Sequence, residues 1–324
     1  MVNKYADMLS LGQLSAAEFS HLLYSAAALR TNRHDTVLAG KNLALIFEKP
    51  SLRTRVTFEV AIRQLGAWPI LLGNGEGNLG ERESIPDLAR NLSLWVDGIV
   101  ARVFRHVDLE ALASFATIPV INALSDWEHP CQALADILTL LEVWEELDGK
   151  TVVYVGDWNN VSRSLWRACE LAGVSFRAVG PQGYGPRAGE AAVWSTDPGA
   201  VDGADAIYTD VWASMGQEDE MAERAAIFRP YQVNERLIAK TGKPSFFMHC
   251  LPAHRGLEVT DPVIDSDHSL VFRQAANRLP AEKAILISLL ENHDAAASEE
   301  SRARVLGRFG QLDHRPLAQG KLRV

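Results

Sequence analysis

At 324 residues the chain has room for two α/β domains of ordinary size, each burying its own apolar core. A formal net charge of −9 argues against an extended surface for nucleic-acid phosphates, and no apolar run reaches the roughly 20 residues that span a bilayer. Cys131, Cys169 and Cys250 are odd in number and widely spaced, which suits reduced thiols, and Met1–Leu11 lacks the apolar block and cleavage site of a secretory signal; a cytoplasmic protein is expected, with neither nucleic acid nor membrane as partner.

Short apolar runs alternate with helical patterns, as parallel strands with crossover helices require. Strands are expected at Asn42–Phe47, Trp68–Leu72, Gly98–Phe104 and Pro119–Asn122. An amphipathic helix follows over Pro130–Leu147, with Leu134, Ile137, Leu138, Leu140 and Leu141 as its stripe, and ends at Asp148-Gly149. A second series of strands is expected at Thr151–Gly156, Ser175–Val179, Ala206–Asp210, Ser245–His249 and Leu270–Phe272. Pro280 fits the first turn of a last helix running to Leu290, and the charged tail after Glu291 is expected to be partly disordered. The fold class is therefore α/β, two domains, each a mainly parallel sheet flanked by helices. The boundary is placed near Gly149, giving domains 1–148 and 149–324, with the C-terminal helix packing back on the first.

The chemistry concentrates where strands end. Ser51, Arg53, Thr54 and Arg55 lie between the first strand and a helix patterned by Val56, Val60, Ala61 and Leu65. A helix N-terminus offers unpaired N–H groups and a positive dipole end, so the place suits an anion. Read locally, Ser51 serves equally as an ordinary cap and the arginines as solvated surface groups. Gly156-Asp157-Trp158-Asn159-Asn160 follows a strand but lacks the further glycines of a dinucleotide loop, and Gly180–Gly185 reads as a loop using glycine's backbone freedom. His249, Cys250 and His254 lack the second ligand pair that structural zinc wants.

The whole segment Phe47-Glu48-Lys49-Pro50-Ser51-Leu52-Arg53-Thr54-Arg55 resembles the phosphate loop of the aspartate and ornithine carbamoyltransferase family. Asp97–Arg102, His129-Pro130-Cys131-Gln132, Gly156–Asn160, Asp210–Gly216, His249-Cys250-Leu251-Pro252 and Ala276–Leu279 follow in the order and approximate spacing of that family. The resemblance implies that Ser51, Arg53, Thr54 and the Leu52 backbone hold the phosphate of carbamoyl phosphate. It implies that Thr54, Arg102 and His129 polarise the carbonyl oxygen, that Gln132 takes the NH₂, and that Cys250, Leu251 and Arg278 complete this half of the site. Arg102, His129 and Cys250 are then the catalytic residues.

In the ornithine branch of the family the Asp-x-x-x-Ser-Met-Gly segment grips the amino-acid end of ornithine, and the cysteine of His-Cys-Leu-Pro lies near the reacting δ-amine. Here that implies Asp210 for the α-ammonium, with Asn160 and the backbone at Ser214 and Met215 for the carboxylate; alone, Asp210 reads equally as a surface loop acid. Members acting on aspartate, acylated ornithines or putrescine differ in these segments. The scheme needs no cofactor and no metal, only the small-molecule substrates carbamoyl phosphate and ornithine. It also implies a homotrimer or a multiple of trimers, with Asn78 and the loop to Ser84 reaching a neighbour's site. Asn78 stands where glutamine or histidine is usual, Ala276 where glutamate is, and Pro280 where histidine is, so the orientation of Arg278 is open and a catalytically silent paralogue is the alternative.

Overall fold

The computed structural model describes residues 7–31, 36–72, 79–213 and 218–310, with side chains omitted for Glu218 and 292–310. A first helix, α1 (Ala16–Leu29), starts at Ser15, whose hydroxyl accepts from the Glu18 N–H while the Glu18 carboxylate accepts from the Ser15 N–H. Its Phe19, Leu22, Leu23 and Ala26 recur at helical spacing and are buried. Then β1 (Asn42–Phe47), α2 (Arg53–Gln64), β2 (Trp68–Leu72), α3 (Ile85–Trp95), β3 (Gly98–Arg102), α4 (His106–Phe115), β4 (Val120–Leu124) and α5 (Pro130–Trp144) follow in order. All pairings in this sheet are parallel and the order is β2-β1-β3-β4. Leu43, Ala44, Leu45 and Ile46 of β1 are fully buried, the near-continuous apolar run of a strand covered on both faces.

The second sheet is built from β5 (Thr151–Val155), α6 (Asn160–Ala172), β6 (Ser175–Val179), β7 (Val193–Ser195), β8 (Ala206–Thr209), α7 (Met221–Phe228), α8 (Glu235–Ala239), β9 (Phe246–His249) and α9 (Asp261–Ile264). Its order is β7-β6-β5-β8-β9, again parallel throughout. The last helix, α10 (Val271–Gly310), packs against α1, α2 and α5 beneath the first sheet.

Three expectations are corrected here. Leu270–Phe272 is no strand: only Ser269 bridges Phe247, and Val271 already begins α10, so the apolar run is a helix start with Val271 buried and Phe272 exposed. Pro280 does not open a helix but lies inside one, α10, which runs on to Gly310; the tail after that lies outside the described residues. Helix α5 stops at Trp144, short of Leu147, because Glu145 turns to φ 63°. In the Gly180–Gly185 loop, freedom of φ is needed at Gly183, at 90°. Gly180 instead answers a close approach, since a Cβ there would lie 2.3 Å from the Gly156 carbonyl and 2.5 Å from Trp194.

In both sheets the chain runs outward from an inner strand, then returns to build the other side. The reversal falls between β1 and β3 in the first sheet and between β5 and β8 in the second. Loops leaving such a pair at their carboxyl ends diverge and leave a crevice, the usual ligand position in open α/β sheets. Ser51 and Arg102 stand at one crevice, Asn159 and Asp210 at the other, and all four line one cleft of about 760 Å³.

Candidate active site

The phosphate end begins at α2. Its N-cap is Leu52, with φ −80° and ψ −60°, and no side chain caps the helix; the first hydrogen bond back is from the Val56 N–H to the Leu52 carbonyl. Ser51 is thus not the helix cap, and the first-turn N–H groups keep their positive end for a ligand. Arg53 and Thr54 line the cleft, Thr54 nearly fully buried, whereas Arg55 points outward to pair with Glu59 at 3.6 Å. Burial, with nearby Arg278 adding, draws the Arg53 guanidinium below its ordinary value. The same two causes bring Arg102, at the end of β3, down to about 10, so both stay cationic at neutral pH.

Arg278 reaches in from α10 and ties three elements together. Its Nη1 donates to Gln132 Oε1 at 2.8 Å, and its Nη2 to Thr54 Oγ1 at 3.1 Å and to Glu282 Oε1 at 2.6 Å. None of these anchors involves residues 276 or 280. Those two line a separate cleft of about 350 Å³ with Arg30, Gln64 and Lys283. Gln132 also donates through Nε2 to the buried Asp136 at 2.8 Å, which leaves its amide oxygen as the end shared with Arg278. His129, at the N-terminus of α5, is buried beside Arg102 and Arg278; burial first and then those cations hold its pKa well below the usual 6.5, so the imidazole is neutral. His129 Nδ1, Arg102 Nε and Arg278 Nε are buried without hydrogen-bond partners. Buried polar groups are rarely left so, and three in one cleft mark where a polar ligand fits.

The opposite wall is anionic. Asp210, just past β8, is 6% exposed; it accepts from Asn159 Nδ2 at 2.9 Å and faces Cys250 Sγ at 3.2 Å. Burial, and next the Asp210 charge, push the Cys250 thiol well above its ordinary value, so it is a protonated donor to Asp210 and not a thiolate. His249 is fully buried; its Nδ1 accepts from the Leu251 N–H at 2.8 Å, which shapes the turn bringing Cys250 and Leu251 to the cleft. Leu251 takes φ 59°, a left-handed conformation costing a non-glycine residue roughly 1–2 kcal/mol and typical of functional turns. Asp210, His249 and Cys250 bring ligand-type atoms within 4.8 Å of one another and are the described residues best able to hold a metal, but the thiol and the Nδ1 lone pair already serve protein hydrogen bonds.

Asn160 lines the cleft, yet its amide donates to the Ser125 carbonyl at 2.7 Å and so bridges the two halves of the molecule. Asn78, Ser214 and Met215 lie outside the described residues. Ser84 caps α3, accepting from the Asp87 N–H. Reading the sequence missed Asn159, although it stands next to Asn160 in the same Gly-Asp-Trp-Asn-Asn run. It also missed Arg163, buried in α6, whose guanidinium stacks 4.0 Å over Trp127, donates to the Trp127 carbonyl and pairs with Glu190. A lone arginine inside an amphipathic helix carries no local signal of such a role.

Known proteins share this fold. A family model described as the carbamoyl-P binding domain of aspartate/ornithine carbamoyltransferase matches residues 6–142, and one described as its Asp/Orn binding domain matches residues 148–289. An ornithine carbamoyltransferase from Anoxybacillus flavithermus is 47% identical over 305 residues, covering 89% of this chain and 97% of its own length. The anabolic ornithine carbamoyltransferase of Pyrococcus furiosus is 49% identical over 299 residues, covering 86% of this chain and 95% of its own. The crystal structure of ornithine carbamoyltransferase from Thermus thermophilus superposes with a TM-score of 0.82 at 44% identity, covering 89% of this chain and all of that one. Since the two family models match residues 6–142 and 148–289 and relatives near half identical cover most of the chain, the chain belongs to the aspartate/ornithine carbamoyltransferase family.

Proposed function

We propose that this protein transfers the carbamoyl group of carbamoyl phosphate to the δ-amine of L-ornithine, giving L-citrulline and phosphate in arginine metabolism. The observation carrying this reading is one cleft with a cationic, donor-rich wall facing an Asp210–Cys250 pair. In the reading, Ser51, the Leu52 backbone, Arg53 and Thr54 hold the phosphate at the α2 N-terminus. Thr54, Arg102, neutral His129 and Arg278 donate to the carbonyl oxygen, where charge develops as the amine adds. Gln132 accepts from the carbamoyl NH₂ through its fixed amide oxygen. Asp210 pairs with the α-ammonium of ornithine, Asn160 and the backbone at Ser214 and Met215 serve its carboxylate, and Cys250 and Leu251 border the reacting centre. The nucleophile is the neutral amine, a minority form at neutral pH for a group with a lysine-like pKa of ~10.4.

The same proposal divides the chain into a carbamoyl phosphate-binding domain, 1–148, and an ornithine-binding domain, 149–324, with α10 returning to the first. It places the protein in the cytoplasm as a homotrimer or a multiple of trimers. Among the described residues no helix is long and apolar enough to cross a membrane. The edge strand β2 leaves Trp68, Ile70 and Leu71 exposed and α3 leaves Leu94 and Trp95 exposed, a liability that native edge strands ordinarily cover. A second copy is the expected cover, and Asn78 is the residue expected to reach across. The direct test supplies ornithine, N-acetylornithine, putrescine and aspartate side by side with carbamoyl phosphate. Carbamoylation of ornithine well ahead of the others is expected; a preference for any other amine, or no turnover, would remove the assignment. Light scattering of the purified protein checks the trimer.

A further inference from the structure

We propose that Glu282 is a positioning residue of this active site: through its ion pair with Arg278 it fixes the guanidinium that meets the carbamoyl group and sets the charge of the phosphate pocket. The inference rests on the carbamoyl-transfer reading and adds to it a residue outside the motifs that carry the family resemblance.

Arg278 and Glu282 stand one turn apart on α10, so their side chains share a helix face. Both are buried, Arg278 at 3% exposure and Glu282 at none, and Nη2 donates to Oε1 at 2.6 Å. A guanidinium has five N–H bonds in a rigid fork. On Nη2, Thr54 and Glu282 use both; on Nη1, Gln132 uses one. The Nε–H and the second Nη1–H remain, and the Nε–H is buried without a partner in the wall of the cleft. The contact with Glu282 therefore decides which edge of Arg278 is left for substrate.

Charge gives the second half of the proposal. Arg53, Arg102 and Arg278 converge on the cleft, and Arg278 lowers the proton affinity of both others. Among the described residues, Glu282 is the one carboxylate in an ion pair with any of the three. Its own carboxyl is pushed up to about 7, chiefly by burial, against the pull of Arg278. Above about pH 7, where it is ionised, this carboxylate offsets one of three cations before phosphate enters and again after it is released.

Two substitutions separate position from charge. Glu282→Gln keeps the reach and an accepting oxygen but removes the charge, while Glu282→Asp keeps the charge and shortens the reach. Inorganic phosphate binding by calorimetry, kcat and KM, and circular dichroism are measured for both and for the unaltered protein. Above about pH 7, where the Glu282 carboxyl is ionised, the Gln variant is expected to bind phosphate about tenfold tighter, the size expected for one unit charge several Å from a buried anion. The Asp variant is expected to keep phosphate affinity within about twofold and to lose kcat on the order of tenfold or more, with KM for ornithine little changed. Folded variants that both match the unaltered protein in phosphate affinity and kcat would overturn the proposal. So would a Gln variant that no longer folds, since an isosteric change that costs only the fold assigns the carboxylate to stability. Citrulline formation by the unaltered protein is the control; its absence would sink the carbamoyl-transfer reading while phosphate binding by the Gln variant still decides the charge role of Glu282.

Discussion

The two walls of the cleft are built on opposite principles. The wall around Arg53, Arg102, His129 and Arg278 is rigid and cationic: its donors come from α2, β3, α5 and α10, and Arg278 cross-links three of those helices through Thr54, Gln132 and Glu282. The wall around Asp210 and Cys250 is anionic and sits on loops, with Asp210 held by Asn159 and Cys250 placed by the turn at Leu251. A charged, high-energy anion is best met by fixed donors that need no reorganisation as charge moves to the carbonyl oxygen. In the proposed function, an amino acid that must lose a proton before it reacts is met by a carboxylate that pairs with its ammonium and a thiol that stays protonated.

The sharpest way to break this contrast is at the fixed wall. Arg53→Ala should reduce kcat on the order of a thousandfold, the loss expected when a preorganised charged donor is removed, with the fold kept because α2 starts at its own backbone. Near-normal turnover would remove Arg53 from the anion site. On the loop wall, Asp210→Asn should cost roughly 2–5 kcal/mol of ornithine affinity and leave carbamoyl phosphate binding almost unaltered. Equal losses for both substrates in calorimetry would instead indicate a folding defect.

Smaller effects follow from protonation. His129 is already neutral, so the rate should show no limb near the usual histidine pKa of 6.5, and the rise of kcat/KM with pH should belong to the amine of ornithine. A pH–rate profile for His129→Asn that loses a limb near 6.5 relative to the unaltered protein would contradict this. Asp136, fully buried and bonded to Gln132, Gln274 and Tyr208, has its pKa raised by burial to about 6 from 3.8. A raised carboxyl binds its proton more tightly folded than unfolded. Its contribution to stability is therefore fully present below pH 3.8 and is lost as pH rises through about 6. Urea midpoints for Asp136→Asn should be flatter over that window than those of the unaltered protein.

Much of the fixed wall was legible because its residues lie in short, dense motifs at strand ends, where the reversal of strand order puts them together. Strand β1 is a buried parallel strand that announces itself as an apolar run, and β2 and β6, although partly exposed, also fall at the expected residues. The failures have physical causes. The trio Leu270–Phe272 has β-like composition, but its burial follows a helix, and Pro280 is accommodated within α10 because packing against α1, α2 and α5 overrides local propensity. Strand β7 spans only Val193–Ser195 at a sheet edge, too short for a pattern. Glu282 escaped notice for another reason. An i,i+4 pair of opposite charges ordinarily marks a solvated helix face, and only the tertiary packing of α10 turns this one into an interior contact.

The claim at the centre is that two walls with separate chemistries divide the two substrates between them. Calorimetric titration of carbamoyl phosphate, and of ornithine in the presence of inorganic phosphate, into the unaltered protein and the Arg53→Ala and Asp210→Asn variants tests it most directly. The account predicts a crossed pattern: Arg53→Ala loses carbamoyl phosphate binding, and Asp210→Asn loses ornithine binding while keeping carbamoyl phosphate. Loss of carbamoyl phosphate binding in Asp210→Asn as large as that in Arg53→Ala, with both proteins folded, would contradict it.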